Sequence, residues 1–313
     1  MHIGKLFKKI SNKYHSHKFK DLCLDSRNCN EGDIFFSIKG VRKNGNQFIN
    51  DAIKNGAKTI VSDLNFQGKK ESILFIKNKN VRKLVSEMAS KLYKKTPHNM
   101  IAVTGTNGKS SVANFYFQIL DQNRLKAATI GTLGIKTKNS NKLTDNTTLD
   151  PITIHKTLSS IKRKKINNTI LEASSHGLKQ NRLDGLRFNT VIFTNLSRDH
   201  LDYHKTYKDY FKSKLILLNK LTKKKSYLIY DNDIFQSKTL KKICIKKKLK
   251  PLTIGKEKSN LVIKKHEYVN NLQKVEIEFD KKKYSFTTSL IGKIQVKNLL
   301  FSILAASKSK IKF

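Results

Sequence analysis

The sequence predicts an α/β protein whose central part is a mostly parallel sheet flanked by helices. Three observations carry this. From residue 99 onward, short unbroken apolar runs alternate with helical periodicity, as strands covered on both faces require. A glycine-bearing, phosphate-type loop stands between the first of these runs and the helix after it. Residues 1–96 repeat the strand–helix theme on a smaller scale, and 313 residues are enough for two or three cores.

In residues 1–96 strand signals fall at 33–38, 59–62 and 72–76. A helix at 47–55 is closed by Gly56, and a second at 81–93 stops before Pro97, where the first domain boundary is placed. The central domain, 97–291, is predicted to hold strands at 100–103, 127–130, 169–173, 190–194 and 226–230. Its helices fit 110–122, 152–163, 207–221 and 234–246. Residues 260–290 alternate, as in Val275-Glu-Ile-Glu-Phe279, and read as antiparallel strands. A last helix, 296–307, follows Gly292, and residues 292–313 read as the start of a C-terminal domain that is largely missing.

The formal charge is +41, yet only 8 of the 64 basic residues are Arg, and the lysines are spread along the chain. Specific nucleic-acid readers lean on Arg forks, so this charge reads as solvated surface and a general field for anionic substrates. No apolar run approaches the ~18 residues of a membrane span. The basic N-terminus lacks the apolar stretch of a secretory signal, and Cys23, Cys29 and Cys244 have no metal-ligand spacing. These features point to a cytoplasmic protein with reduced thiols.

The chemistry begins at residues 104–110, Thr-Gly-Thr-Asn-Gly-Lys-Ser. Gly105, Thr106, Asn107 and Gly108 let the backbone wrap a phosphate, and the following helix points its first N–H groups at the anion. Lys109 supplies a point charge, and the Ser110 hydroxyl is placed to ligate Mg²⁺. Glu172 ends a strand, where a second oxygen ligand for that ion is wanted. Ser174, Ser175 and His176 are neighbours on one turn that do not aim at each other, so a hydrolase is set aside. Asp199, His200, Asp202 and His204 are metal-type ligands, from which one histidine beside the P-loop ion is favoured over a four-ligand site. Lys214 precedes an apolar run; burial would make its amine neutral and open to modification.

These residues resemble the Mur ligases, ATP-dependent amide-forming enzymes of peptidoglycan precursor synthesis. The resemblance covers about residues 22–306. It rests on Leu24-Asp-Ser-Arg27, Gly32-Asp-Ile-Phe-Phe-Ser-Ile-Lys-Gly40, the P-loop, Asp145-Asn-Thr-Thr148, the stretch from Glu172 to Arg182 and that from Thr194 to His204. Within the family it is similar to the member that adds the third residue of the stem peptide.

The resemblance implies an N-terminal domain that binds the UDP-sugar, with Leu24 and Ser26 at the uridine nucleotide. It implies that Asn146, Thr147, Thr148, Ser174, Gln180 and Arg182 hold the muramoyl-dipeptide portion, and that Asn298 faces the adenine of ATP. It implies one Mg²⁺ on Ser110 and Glu172, and a second on His200 and a CO₂-derived carbamate of Lys214. The catalytic set is then Lys109, Glu172, His200 and Lys214. The implied reaction joins a diamino acid, meso-diaminopimelate or alternatively L-lysine, to UDP-N-acetylmuramoyl-L-alanyl-D-glutamate through an acyl phosphate. The Asp-Asn-Pro-Arg motif of the family's third domain does not occur. The expectation is therefore a monomer needing a separate C-terminal domain, or a chain that binds its substrates without turning them over.

Overall fold

The computed structural model describes residues 1–8, 10–40 and 43–311, which form two compact units. The first comprises Met1–Thr96 with Asp150–Ser159 and Gln180–Gly185; the second is Pro97–Leu149, Ser160–Lys179 and Leu186–Phe313.

The first unit carries strands β1 (Leu22–Cys23), β2 (Ile34–Phe36), β3 (Thr59–Ser62), β4 (Gly68–Lys70) and β5 (Ile73–Lys77). Its helices are α1 (Ile49–Lys54) and α2 (Val81–Leu92). The sheet order is β1-β2-β3-β5-β4, parallel except for the β4–β5 pair. Alternate strand residues feed two apolar clusters. Ile34, Phe36, Val61 and Leu74 pack with Val85 and Met88 of α2, while Phe35 and Ile60 pack with Ile49 and Ala52 of α1. The predicted strand 33–38 shortens to three residues, and the predicted helix 47–55 opens with a 3-10 turn, Gly45–Phe48.

The second unit contains β6 (Asn99–Thr104), α3 (Lys109–Gln122), β7 (Ala127–Gly131), β8 (Gly134–Thr137) and β9 (Ser140–Lys142). Then come α4 (Pro151–Arg163), whose first part belongs to the first unit, β10 (Asn168–Glu172), α5 (Ser175–Lys179) and β11 (Phe188–Phe193). They are followed by α6 (Leu201–His204), α7 (Tyr207–Lys220), β12 (Thr222–Asp231), α8 (Ser237–Lys247) and β13 (Lys250–Gly255). The last elements are β14 (Leu261–Val269), β15 (Leu272–Phe279), β16 (Lys282–Thr288) and α9 (Lys293–Ser307).

One sheet of eleven strands runs β16-β15-β14-β13-β12-β11-β6-β10-β7-β8-β9. It is parallel from β14 to β7 and antiparallel at both margins. Ile101, Val103, Ile170, Ile192 and Ile229 face α3 and α9; the alternate residues Ala102, Leu171, Val191 and Leu228 are equally buried and point the other way. Burial of both faces explains the unbroken apolar runs.

Several boundaries differ from the sequence expectation; β12 starts four residues early, at Thr222, and α9 three early, at Lys293. Helix α8 starts at Ser237 instead of 234, because the Asp231 carboxylate accepts the Asp233 N–H at 2.9 Å and holds the preceding residues in a turn. Residues 292–311 fall within the second unit: α9 buries Val296, Leu300, Phe301 and Leu304 in the core that α3 shares. Ser302 fixes the pair by donating to the Val112 carbonyl of α3 at 3.0 Å. No helix among the described residues is long and apolar enough to cross a membrane.

Candidate active site

The carboxyl ends of β6, β7, β10 and β11 bring the loops of the second unit together, the usual place for a ligand in a parallel sheet. Between β6 and α3 the backbone takes two turns that side chains resist. Gly105 has φ +150°, and a Cβ there would collide with the Thr194 hydroxyl; Gly108, φ +86°, caps α3 and lies against the Asn298 amide. Asn298 on α9 is therefore packed directly on the loop, although 190 residues separate it from Gly108.

The loop is held from β11. Thr194 Oγ1 donates to the Asn107 carbonyl at 2.6 Å, and Asn195 both accepts from Asn107 N–H and donates to its carbonyl, at 3.0 and 3.2 Å. Thr106 is tied to Ser197 N–H at 3.0 Å and to the Tyr210 hydroxyl at 3.2 Å. Lys109 folds back and donates to the carbonyls of Gly105 and Thr106 at 3.0 and 2.7 Å. Burial holds its pKa below the ordinary lysine value, against the opposing charges of Glu172 and Asp199.

Glu172, 3% exposed, is the acceptor of a small network. Ser110 Oγ donates to it at 2.9 Å, Thr132 N–H at 2.9 Å and Thr132 Oγ1 at 3.1 Å. A cavity of about 270 Å³ opens beside Ser110, Thr132 and Glu172. This is a hard-oxygen donor set at the foot of a phosphate loop, and it fits Mg²⁺, which keeps several waters and takes one carboxylate plus phosphate oxygens. Thr132 escaped the sequence reading; its signal is a hydroxyl just past the end of a fully buried strand.

Next to this network, Thr148 Oγ1 donates to the Glu172 carbonyl at 2.9 Å and meets Ser174 Oγ at 3.0 Å, while Thr147 pairs with Thr132 at 3.0 Å. Asn146 is exposed. Gln180 and Arg182 lie in the first unit, where Arg182 Nη2 donates to Gln180 Oε1 at 2.8 Å. Leu24 and Ser26 line a cavity of about 580 Å³ in that unit, together with Phe35, Phe36 and Phe48. The Asp25 side chain accepts the Arg27 N–H and shapes the turn.

Lys214 is 1% exposed and donates to the Gly105 carbonyl at 2.7 Å, over the Tyr210 ring. Burial pushes its pKa down to about 6; the charge of Lys109 acts the same way and Asp199 opposes. Asp199 thus acts on both lysines, and its Oδ2 lies 3.5 Å from His200 Nε2. The His200 ring stands 4.9 Å from that of His176. His204 is turned fully into the interior, with its pKa pushed down to about 4, mainly by burial. Among the described residues no group of three or more His, Cys, Asp or Glu is placed to hold a metal ion. Asp199, His200, Asp202 and His204 therefore form no four-ligand site, because one turn of helix sends His204 inward.

With its glycines, lysine and hydroxyl arranged around an anion-sized loop, the second unit is a P-loop α/β domain. Its kinship is narrower than that class. The chain belongs to the Mur ligase family: the family's middle-domain profile matches residues 103–306, and a second profile, described as the Mur ligase family catalytic domain, matches residues 18–101. Among curated relatives, the UDP-N-acetylmuramoyl-L-alanyl-D-glutamate–2,6-diaminopimelate ligase of Rickettsia montanensis is 34% identical over 93% of this chain and 61% of its own length. The ligase of the same name from Chelativorans sp. (strain BNC1) is 36% identical over 89% of this chain and 58% of its own. The chain thus spans about 60% of the length of these relatives. A solved structure with that name superposes with a TM-score of 0.86 at 24% identity, covering all of this chain and 64% of the other.

Proposed function

We propose that this chain acts in the ATP-dependent joining of meso-diaminopimelate to UDP-N-acetylmuramoyl-L-alanyl-D-glutamate, a step of peptidoglycan precursor synthesis. The observation that carries the reading is the meeting of Lys109, Ser110, Glu172 and Lys214 on one phosphate loop, in a chain about a third identical to ligases of that name. The D-glutamyl carboxylate attacks the γ-phosphorus of ATP, and ADP leaves. The amine of the diamino acid then attacks the acyl phosphate, loses a proton and expels phosphate to leave an amide. The first N–H groups of α3 and the Lys109 ammonium hold the phosphates and meet the charge that spreads over the transferring group. Mg²⁺, held by Ser110 and Glu172, supplies further neutralisation of that charge when bound.

Leu24 and Ser26 are assigned the uridine, Thr147, Thr148 and Ser174 the peptide portion, and Asn298 the adenine. Lys214 is assigned a carbamate. Its neutral amine adds to the carbon of CO₂ and loses a proton, turning a cation donor into an oxygen ligand that, with His200, suits a second Mg²⁺.

Calorimetry with Mg-ATP and with the UDP-muramoyl-dipeptide, followed by assays of ADP release and tripeptide formation, tests binding and turnover separately. Absence of ATP binding by the folded chain refutes the reading. The carbamate is read by ¹³C NMR with labelled bicarbonate near pH 8; a plain amine in the metal- and substrate-loaded chain refutes that assignment.

A further inference from the structure

Two of the three cysteines stand together in the first unit, at the ends of the turn that lines its cavity. Cys23 ends β1, and Cys29 follows the 3-10 turn Ser26–Asn28. Both thiols are directed at one atom, the backbone carbonyl oxygen of Asp25, at 3.0 and 3.8 Å. Each is buried, 6% and 7% exposed, against Phe35, Ile49, Ala52 and Ile60. Cys244 belongs to the other unit.

The neighbouring Cys29 thiol holds that of Cys23 below its ordinary pKa, against the effect of burial, and that of Cys29 is raised in turn. Two thiols gathered at one atom are the arrangement in which a first oxidation of one sulfur is captured by the other before a second oxidation occurs.

We propose that Cys23 and Cys29 are a redox-modification site, closing to an intramolecular disulfide across residues 24–28 when a small peroxide reaches them. The Cys23 thiolate attacks the O–O bond, keeps one oxygen as a sulfenic acid and releases hydroxide, which takes up a proton. The Cys29 sulfur then attacks the Cys23 sulfur, the S–O bond breaks, and a second water leaves with the Cys29 proton. Two thiols lose two electrons, and one peroxide becomes two waters. The new bond fixes the turn that carries Leu24 and Ser26, and so stiffens one wall of the 580 Å³ cavity. Its effect on uridine-nucleotide binding rests on the function proposed above; the bond itself does not.

The test uses the whole chain, treated with hydrogen peroxide, alkylated and digested with trypsin without reductant. Cleavage after Lys20, Arg27 and Lys39 separates Cys23 from Cys29 into the peptides 21–27 and 28–39. The expected result is one linked species, lighter than the sum by two hydrogens, that splits on reduction. UDP affinity, measured on the same samples, should fall severalfold on oxidation and return on reduction. Separate peptides with alkylated or singly oxidised sulfurs overturn the site. Linked peptides with unchanged UDP affinity overturn the effect on the cavity. A reduced chain that does not bind UDP refutes the uridine reading, and linked peptides from that chain still establish the disulfide.

Discussion

Lysine behaves in two different ways in two parts of the second unit. In the ribbon β14–β16, Lys264, Lys265 and Lys274 are about half exposed and pair with Glu278, Glu267 and Glu276 at 3.0, 2.8 and 4.0 Å. At the P-loop, Lys109 and Lys214 have no carboxylate in contact and donate instead to the loop's own carbonyls. Water screens the ribbon pairs, so each contributes little. Burial at the loop makes the charge costly, and that cost is what lowers both amines' pKa values. The contrast teaches that a net charge of +41 says little about chemistry; two lysines placed where water is excluded say most of it.

The comparison breaks most visibly at Glu172, a buried carboxylate whose charge opposes the lowering of the Lys109 pKa. Glu172→Ala leaves the Ser110 hydroxyl and both Thr132 donors without their acceptor, and should cost about 2–3 kcal/mol in urea unfolding. An unchanged midpoint would show that the network is solvated. Lys109→Ala should weaken Mg-ATP binding roughly tenfold to a hundredfold, the range of one charge-assisted contact, with the fold intact. Equal calorimetric affinities would remove Lys109 from the phosphate site.

Lys214→Met sharpens the same contrast through pH. Below about 6 both folded and unfolded chains carry the lysine charge, and the folded state bears the full penalty. Between about 6 and the ordinary value of 10.5 the unfolded chain binds the extra proton, so stability rises with pH through that window. In CO₂-free buffer the variant should be the more stable protein at pH 7, on the order of 1 kcal/mol, with the gap closing toward pH 10. A pH-independent difference would show that the amine is not desolvated. The ribbon supplies the smallest effect: Lys264→Ala should stay within about 0.5 kcal/mol of the parent at moderate salt.

The sequence made much of the central domain legible because the pattern and the structure obey the same constraint. Strands buried on both faces are mostly apolar, and those at 100–103, 127–130, 169–173 and 190–194 were plain for that reason, with only threonines and Glu172 among their apolar residues. The short outer strands β8 and β9 were missed: β9 is exposed throughout and β8 largely half-exposed, so no apolar run marks them. The strand β13 was hidden because its first two residues, Lys250 and Pro251, are exposed before Leu252 turns inward. Helix α9 was visible, but its place was not, since only its packing against α3 puts Asn298 on Gly108.

Sequence alone determined the strand–loop–helix of phosphate-loop type, the carboxylate at the end of β10 and the lysine ahead of an apolar run, because local spacing dictates each. The tertiary structure decided what those groups experience. It closed Thr132 on Glu172, turned His204 into the interior, drew both lysines onto the loop's carbonyls, and brought two cysteines to one oxygen. Burial and hydrogen-bond partners come from distant parts of the chain, and it is they that set the charge state on which reactivity depends.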